Sequence, residues 1–366
     1  MTDETPEAPE PRANPYLIGQ ANGESTFLDA WASGRLAHAW LLAGPRGIGK
    51  ATLAFRMARF VLSQSAVPAG PDLFGGPPPP KTLQFSPTDP VFRKVASQGH
   101  PDLRVAEREL NAKTDKRATV IKVEQIREII SFIHLTPAES QWRVVIVDGA
   151  DEMNDESANA VLKILEEPPK RSILFLVAHN ADRLLPTIRS RCRRLDLRPL
   201  AVEQVATLIG RYQPDLPPAE IRALSVMGDG SIGRALELDA QGGVALFAAF
   251  IALVSGAPDP SVADVHALAE RAMKGDTFRT LSDLAGWWLA RACVQASRGD
   301  VSSGPEIVPG ERAAAGRLVH DPARAAEVWQ DIVTFARRVE AVNVDKKRAT
   351  INMIGKICDL ARRRAA

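Results

Sequence analysis

Phe27, Leu28, Trp31 and Leu36 recur at near-helical spacing, and the apolar run Ala39–Ala43 that follows stops at Gly44-Pro45. A short continuous apolar run closed by a glycine–proline turn predicts a buried strand. Beyond the turn, Leu53, Met57, Phe60 and Val61 stand at i, i+4, i+7 and i+8, one face of a helix. Residues 65–101 break the periodicity, and Gly70-Pro71, Gly75-Gly76 and Pro77–Pro80 predict an irregular insertion there. Regularity returns at Leu103–Val105 and Val120–Val123, then in a helix from about Glu124 carrying Ile126, Ile129, Ile130 and Ile133. Arg143–Val147 reads as a second buried strand and ends in Asp148. Residues 155–167 form a helix with Val161, Leu162 and Leu165 on one side, stopped by Pro168-Pro169, and Ile173–Ala178 is a third strand.

Strands alternating with helices predict an α/β domain: a mainly parallel sheet with helices on both faces. The alternation ends near Pro199. Residues 200–241 then suit a small helical lid domain with turns at Gly228, Gly230 and Gly233. Residues 242–366 suit a larger all-α domain, interrupted by the loop Gly299–Gly310. Residues 1–15, rich in Pro and Glu, read as a disordered tail, which leaves 16–199 for the α/β domain.

Composition excludes several classes. The 46 Lys and Arg nearly balance the 44 Asp and Glu, so the net charge of +2 argues against a broad nucleic-acid surface. Only a local arginine cluster stands out: Arg189, Arg191, Arg193, Arg194 and Arg198. Cys192, Cys293 and Cys358 are too few and too far apart for a disulfide framework or a four-cysteine zinc site, and such sparse use fits a reducing cytoplasm. Residues 1–15 lack the apolar core of a signal peptide, and no run approaches the ~20 apolar residues of a membrane span. The most apolar stretch, Val244–Val254, reads as a buried helix, and no membrane partner is expected.

The chemistry begins at Gly44-Pro45-Arg46-Gly47-Ile48-Gly49-Lys50, which matches the phosphate-binding pattern G-x-x-x-x-G-K between a strand and a helix. The glycines let backbone N–H groups turn toward phosphate oxygens, the helix N-terminus adds partial positive charge, and Lys50 reaches the outer phosphates. A nucleotide site over Gly44, Arg46, Gly47, Ile48, Gly49, Lys50, Ala51 and Thr52 is therefore expected. The pattern then departs: the position that should offer a hydroxyl to Mg²⁺ is Ala51, whose methyl has no oxygen. Thr52 lies about 100° further round the helix. Asp148, at the end of the second strand, takes the place of the acid that helps hold Mg²⁺ in such enzymes. No metal is expected to be well held. Asp151 and Glu152 read as solvated acids of the next loop.

Further segments resemble one family. Ser190-Arg191-Cys192 looks like the "SRC" motif of clamp-loader subunits of bacterial DNA polymerase III, which are AAA+ proteins. Leu36–Leu42, with His38-Ala39-Trp40, resembles the strand before their phosphate loop, and His100-Pro101-Asp102 resembles their "HPD". Ala158–Pro169, with Leu165-Glu166-Glu167-Pro168-Pro169, is close to a long and specific helix of gamma and delta-prime chains. The resemblance runs through residues 16–240. It implies an AAA+ domain, a lid, and a C-terminal collar that packs against other subunits, with Trp287, Trp288, Ala292, Ile332 and Phe335 as packing candidates that an internal core would explain equally well. It implies partners: gamma/tau and delta subunits and, through the complex, a sliding clamp and primed DNA.

The resemblance also implies that Arg191 acts as an arginine finger, a guanidinium supplied to a neighbour's ATP site. From the residues alone, a solvated or DNA-facing basic patch is the equal alternative. Cys192 reads as a small buried residue and His100 as structural. In this family Glu follows the strand-end acid and polarises the attacking water; here Gly149 stands there. Gly233 likewise occupies the place of the family's sensor arginine, with Arg234 one position late. With Ala51 and Gly149 both empty, the resemblance implies a delta-prime-type subunit that holds ATP or ADP without hydrolysis. It also implies no zinc, because residues 65–101 contain no cysteine. The rivals are a gamma-type ATPase rescued by Thr52 with Asp151 or Glu152, a free-standing DNA remodeller such as a helicase loader, and a small-molecule P-loop kinase.

Overall fold

The computed structural model describes residues 9–64, 82–111, 116–299, 306–342 and 344–362. Helix α1 spans Ala21–Ala32, strand β1 Ala39–Ala43, helix α2 Lys50–Ser63 and helix α3 Pro90–Ala96. They are followed by β2 (Leu103–Ala106), the short antiparallel pair β3 (Leu110–Asn111) and β4 (Lys116–Arg117), and α4 (Val123–Ile133). The domain continues with β5 (Arg143–Asp148), α5 (Asp155–Glu166), β6 (Ser172–Ala178), α6 (Pro186–Arg189) and β7 (Arg193–Asp196). Five strands make one parallel sheet in the order β2-β5-β6-β1-β7. β1 and β6 are buried along their whole length, as expected of central strands covered on both faces.

Each face of the sheet carries its own core. Trp40, Leu42, Val144, Ile146, Phe175 and Val177 point to the side of α1 and α2. Leu41, Val145, Val147, Leu174 and Leu176 point to the side of α4 and α5. The period-2 alternation along each strand makes this division. Ile126, Ile129, Phe132 and Ile133 bury one stripe of α4, each contributing about 1.5–3 kcal/mol of apolar transfer.

The α/β reading of the sequence holds, with local corrections. α1 ends at Ala32, so Leu36 packs on the first core from the connection rather than from the helix. Helix α2 is buried nearly all round, because Arg56 pairs with Glu24 at 3.1 Å and Arg59 stacks 4.3 Å over Phe92. The irregular insertion contains α3, capped by Asp89, whose carboxylate accepts the N–H groups of Val91 and Phe92. Residues 65–81 lie outside the described residues. Residues 1–8 also lie outside them, but the tail expected over 1–15 is packed from Pro9 onward: Arg12 is buried and pairs with Glu10 and Glu107, and Arg59 donates to the Asn14 carbonyl. Edge strand β7 went unforeseen because its two arginines hide the pattern. His100-Pro101-Asp102 is a staple: buried Asp102 accepts the N–H groups of Ala138, Glu139 and Ser140 at 2.7–2.8 Å and faces Arg143.

The chain falls into two compact units, Met1–Val205 with Gly230–Gly233, and Ala206–Asp229 with Arg234–Ala366. Past β7 every described element is helical. These are α7 (Val202–Tyr212), α8 (Pro218–Met227), α9 (Ile232–Ala240), α10 (Gly243–Val254), α11 (Val262–Arg271) and α12 (Thr277–Ser297), then α13 (Glu311–Leu318), α14 (Pro322–Val342) and α15 (Lys346–Cys358). In the second unit Phe247, Phe250, Trp287 and Trp288 form a chain of edge and tilted ring contacts, and Trp288, Ala292 and Ile332 are buried. Trp287 and Phe335 are only half-buried, and Trp329 and Val294 are exposed. No single described helix is long and apolar enough to cross a membrane.

Candidate nucleotide site and surface arginine

The C-terminal edge of the sheet gathers the chemistry. β1 runs into the phosphate loop, whose Gly44, Gly47 and Gly49 have φ of 149°, 76° and 95°. At Gly47 the conformation is compulsory in another way: an added Cβ would lie 2.2 Å from the Ser231 hydroxyl. Gly49 is the N-cap of α2, so the N–H groups of Lys50, Ala51 and Thr52 open the helix toward the loop. Buried Gln20 holds the loop from behind, donating to the Ile48 carbonyl at 3.0 Å and the Arg198 carbonyl at 3.1 Å. Ile48 and Thr52 are buried, Ala51 is half-buried and Arg46 is exposed.

Lys50 is buried and donates to the Pro45 carbonyl. Burial pulls its ammonium down to about 8, against the raising effect of Asp148 and Asp151 and with a further push from Arg46. These residues fit the phosphates of a nucleotide: amide donors, a lysine and a helix N-terminus converge. They fit a metal ion poorly, because Ala51 presents a methyl at the position that should supply oxygen. Among the described residues no group of three or more His, Cys, Asp or Glu side chains is placed to hold a metal ion.

The corner after β5 is built differently. Gly149 has φ of 91°, and a Cβ there would lie 2.5 Å from Glu152 Oε2. Glu152 is in turn paired with Arg108 at 2.7 Å. Asp151, in the 3₁₀ turn Ala150–Glu152, accepts the N–H groups of His179 and Asn180 at 2.8 Å each and ties the end of β5 to the end of β6. Asp151 and Glu152 are therefore committed groups, not the free loop acids expected from the sequence. The strand registers set the whole arrangement: Asp148 lies opposite Val177, and Ala178 opposite Ala43, so residue 179 emerges between the phosphate loop and Asp148.

Arg191 lies on the surface just past α6, away from these groups in sequence and in element. It donates to the Thr187 carbonyl at 3.0 Å and pairs with Glu166 at 3.0 Å. Its neighbours are also engaged: Arg189 with Asp182, Arg194 with Asp196, and Arg193 stacked 4.8 Å over Trp40. With Arg189, Arg191 and Arg194 each ion-paired, the cluster is a weak case for a DNA-facing basic patch. Cys192 is partly buried, and desolvation pushes its thiol up to about 12, far from a reactive thiolate. His100 is buried, and its Nδ1 accepts the Asp102 N–H.

Gly233 explains itself by close approach. Its N–H donates to the Gly47 carbonyl at 3.1 Å, and a Cβ would lie 2.9 Å from Gly47 Cα. No side chain, arginine included, fits there without moving the phosphate loop. The sequence reading missed Gln20, Arg108 and His179. His179 was findable as the first polar residue after a buried strand that ends at the same sheet edge as β1 and β5.

A family model described as "DNA polymerase III, delta subunit" matches residues 19–201, half of the chain. DNA polymerase III subunit delta' of Pseudomonas aeruginosa is 34% identical over 206 residues, 56% of this chain and 57% of that protein. DNA polymerase III subunit gamma of Buchnera aphidicola subsp. Acyrthosiphon pisum is 29% identical over 226 residues, 61% of this chain and 56% of that protein. DNA polymerase III subunit delta' of Bacillus subtilis is 29% identical over 204 residues, 56% of this chain and 54% of that protein. The chain spans little more than half the length of these relatives.

Proposed function

Since the chain belongs to the DNA polymerase III delta subunit family, we propose that it is a delta-prime-type clamp-loader subunit that does not hydrolyse ATP and that completes a neighbour's ATP site with Arg191. The observation that carries this reading is the turn after β5. Gly149 offers no carboxylate to polarise a water, and the turn is folded so that Glu152, held by Arg108, fills the space a side chain at 149 would enter. Ala51 independently removes the oxygen a metal would need.

A gamma-type motor would require Thr52 and Asp151 or Glu152 to take over. Thr52 is buried in α2, Asp151 holds two backbone N–H groups, and Glu152 is ion-paired. Those commitments favour the non-hydrolysing reading, in which ATP or ADP binds at Gly44–Thr52 as a structural ligand without zinc or a tightly held metal. Arg191 needs nothing from its own chain's phosphate site and sits at the surface, where a neighbouring subunit can reach it. Its pairing with Glu166 is half-exposed, a type of contact worth about 0–1 kcal/mol and easily exchanged for a phosphate. Residues 242–366 would form the collar against gamma/tau and delta subunits, with the lid over 200–241. The assembled complex would place a sliding clamp on primed DNA.

The test is ATP turnover by the chain mixed with its motor subunits, clamp and primed DNA, for wild type and Arg191→Ala. The reading expects the variant to fold and assemble normally and to slow turnover in the mixture. Unchanged turnover in an intact complex would remove the finger.

A further inference from the structure

His179 stands at the same sheet edge, and the proposed function does not use it. Its backbone is fixed, because its N–H bonds Asp151 and the preceding Ala178 lies opposite Ala43 in the register. Its imidazole is half-buried, and Nδ1 is fully enclosed with no hydrogen-bond partner. A buried ring nitrogen left without a partner is costly in a folded chain and calls for an explanation.

The groups around it supply one. Lys50 opens α2, Arg46 stands in the phosphate loop, Arg108 follows β2, and Asp151 lies in the turn after β5; all four act electrostatically on the imidazole. Asp148 and Glu152 complete the surroundings through Lys50 and Arg108. Three cations thus face three carboxylates, and the site is formally balanced while His179 is neutral. A nucleotide brings several negative charges to this place. In P-loop ATPases Mg²⁺ would answer part of that charge, but Ala51 removes one of its ligands. A group at this place that can become positive would meet part of the remaining charge.

We infer that His179 answers it: nucleotide binding in this chain is proton-linked and independent of Mg²⁺, the imidazole taking up a proton from solvent as a phosphate group settles against it. This rests on the reading of Gly44–Thr52 as a nucleotide cradle. In the free chain, desolvation, helped by Lys50, Arg46 and Arg108, holds the imidazole down to about 4, with Asp151 opposing. It is therefore uncharged at neutral pH. An anionic phosphate within ~4–6 Å raises such a group by about 1–3 units, and a shift at the upper end of that range brings it to about 7. The proton is then taken up only when nucleotide arrives.

The test is isothermal titration calorimetry of ATP and ADP into the full chain, with EDTA and with Mg²⁺, at pH 6, 7 and 8. Repeating it in buffers of different ionisation enthalpy reads proton uptake directly. His179→Gln keeps the size and a hydrogen-bond donor but cannot charge. The nucleotide's own phosphate ionisation is common to both proteins, so the difference between them isolates His179. The expected result is affinity in EDTA within about twofold of that in Mg²⁺. The wild-type advantage over His179→Gln should grow by about tenfold between pH 8 and pH 6, the consequence of a shift of ~3 units. Proton uptake at pH 7 should be larger in the wild type than in the variant by a fraction of a proton. Equal proton uptake by both proteins, or binding that requires Mg²⁺, overturns this inference and leaves the cradle standing. No binding of either nucleotide under any condition overturns both. An unchanged melting profile above pH 7 for His179→Gln excludes misfolding as the cause of any loss.

Discussion

Two corners at one edge of the sheet, about a hundred residues apart in sequence, have been treated differently. After β1 the chain keeps what phosphate needs: three glycines with left-handed or unusual φ, a buried lysine and an open helix N-terminus. After β5 it keeps the strand-end acid Asp148 and rebuilds everything beyond it into a tight turn closed by Glu152, Arg108 and the Asp151 bonds to β6. Holding a nucleotide and cleaving it depend on separable groups. The first corner holds a desolvated cation, whereas in the second the carboxylates of Asp151 and Glu152 are engaged within the turn and with the end of β6. The function proposed for this chain requires only the first.

The largest expected effect lies outside both corners. If Arg191 completes a neighbouring site, Arg191→Ala should slow turnover at that site by roughly 10³-fold or more, the usual worth of such a group, while the melting temperature of the isolated chain stays the same. Restoring the second corner is the next test. Gly149→Glu should not create an ATPase; it should cost about 2–4 kcal/mol in chemical denaturation, from left-handed backbone plus displacement of Glu152 from its space. Neutral stability in that variant would mean the turn is far more pliable than its geometry implies.

Legibility followed the same division. The α/β alternation, the phosphate loop and the strand ending at Asp148 were readable because continuous apolar runs and a glycine pattern leave strong one-dimensional traces. Edge strand β7 was hidden, since Arg193 stacks on Trp40 and gives the strand a charged surface. That Ala51 offers no hydroxyl and Gly149 no carboxylate was visible in the sequence. That Glu152 fills the gap, and that Asp151 serves two backbone amides, was not readable, because both depend on how a turn folds back in space. His179 was overlooked for a related reason: only the register of β6 against β1 brings it beside the loop.

Lys50→Met sharpens the first corner. The buried ammonium is held down from 10.5 to about 8, so the folded chain bears a penalty of at most roughly 3 kcal/mol wherever the lysine is charged. The variant should be more stable at pH 7, and its advantage should shrink as pH rises from about 8 through 10.5. A destabilised Lys50→Met at pH 7 would contradict the desolvation account. For His179 the sign is the same but the window is lower. Its neutral folded form lets the unfolded chain bind the extra proton, so stability is full above 6.5 and is lost as pH falls through about 4. His179→Gln should flatten that slope in acid melts. The smallest effect belongs to Glu166→Gln, which should change stability by no more than about 1 kcal/mol because the pair with Arg191 is half-exposed.

The account turns on whether the rebuilt corner can cleave. Single-turnover hydrolysis of radiolabelled ATP by the isolated chain in excess, with Mg²⁺ and long incubation, measures this directly. The account predicts no phosphate release above the rate of ATP in buffer, even when calorimetry shows the nucleotide bound. Release that exceeds the buffer rate and disappears in Lys50→Met would show that Ala51 and Gly149 have been replaced by working groups, and that the chain is a motor in its own right.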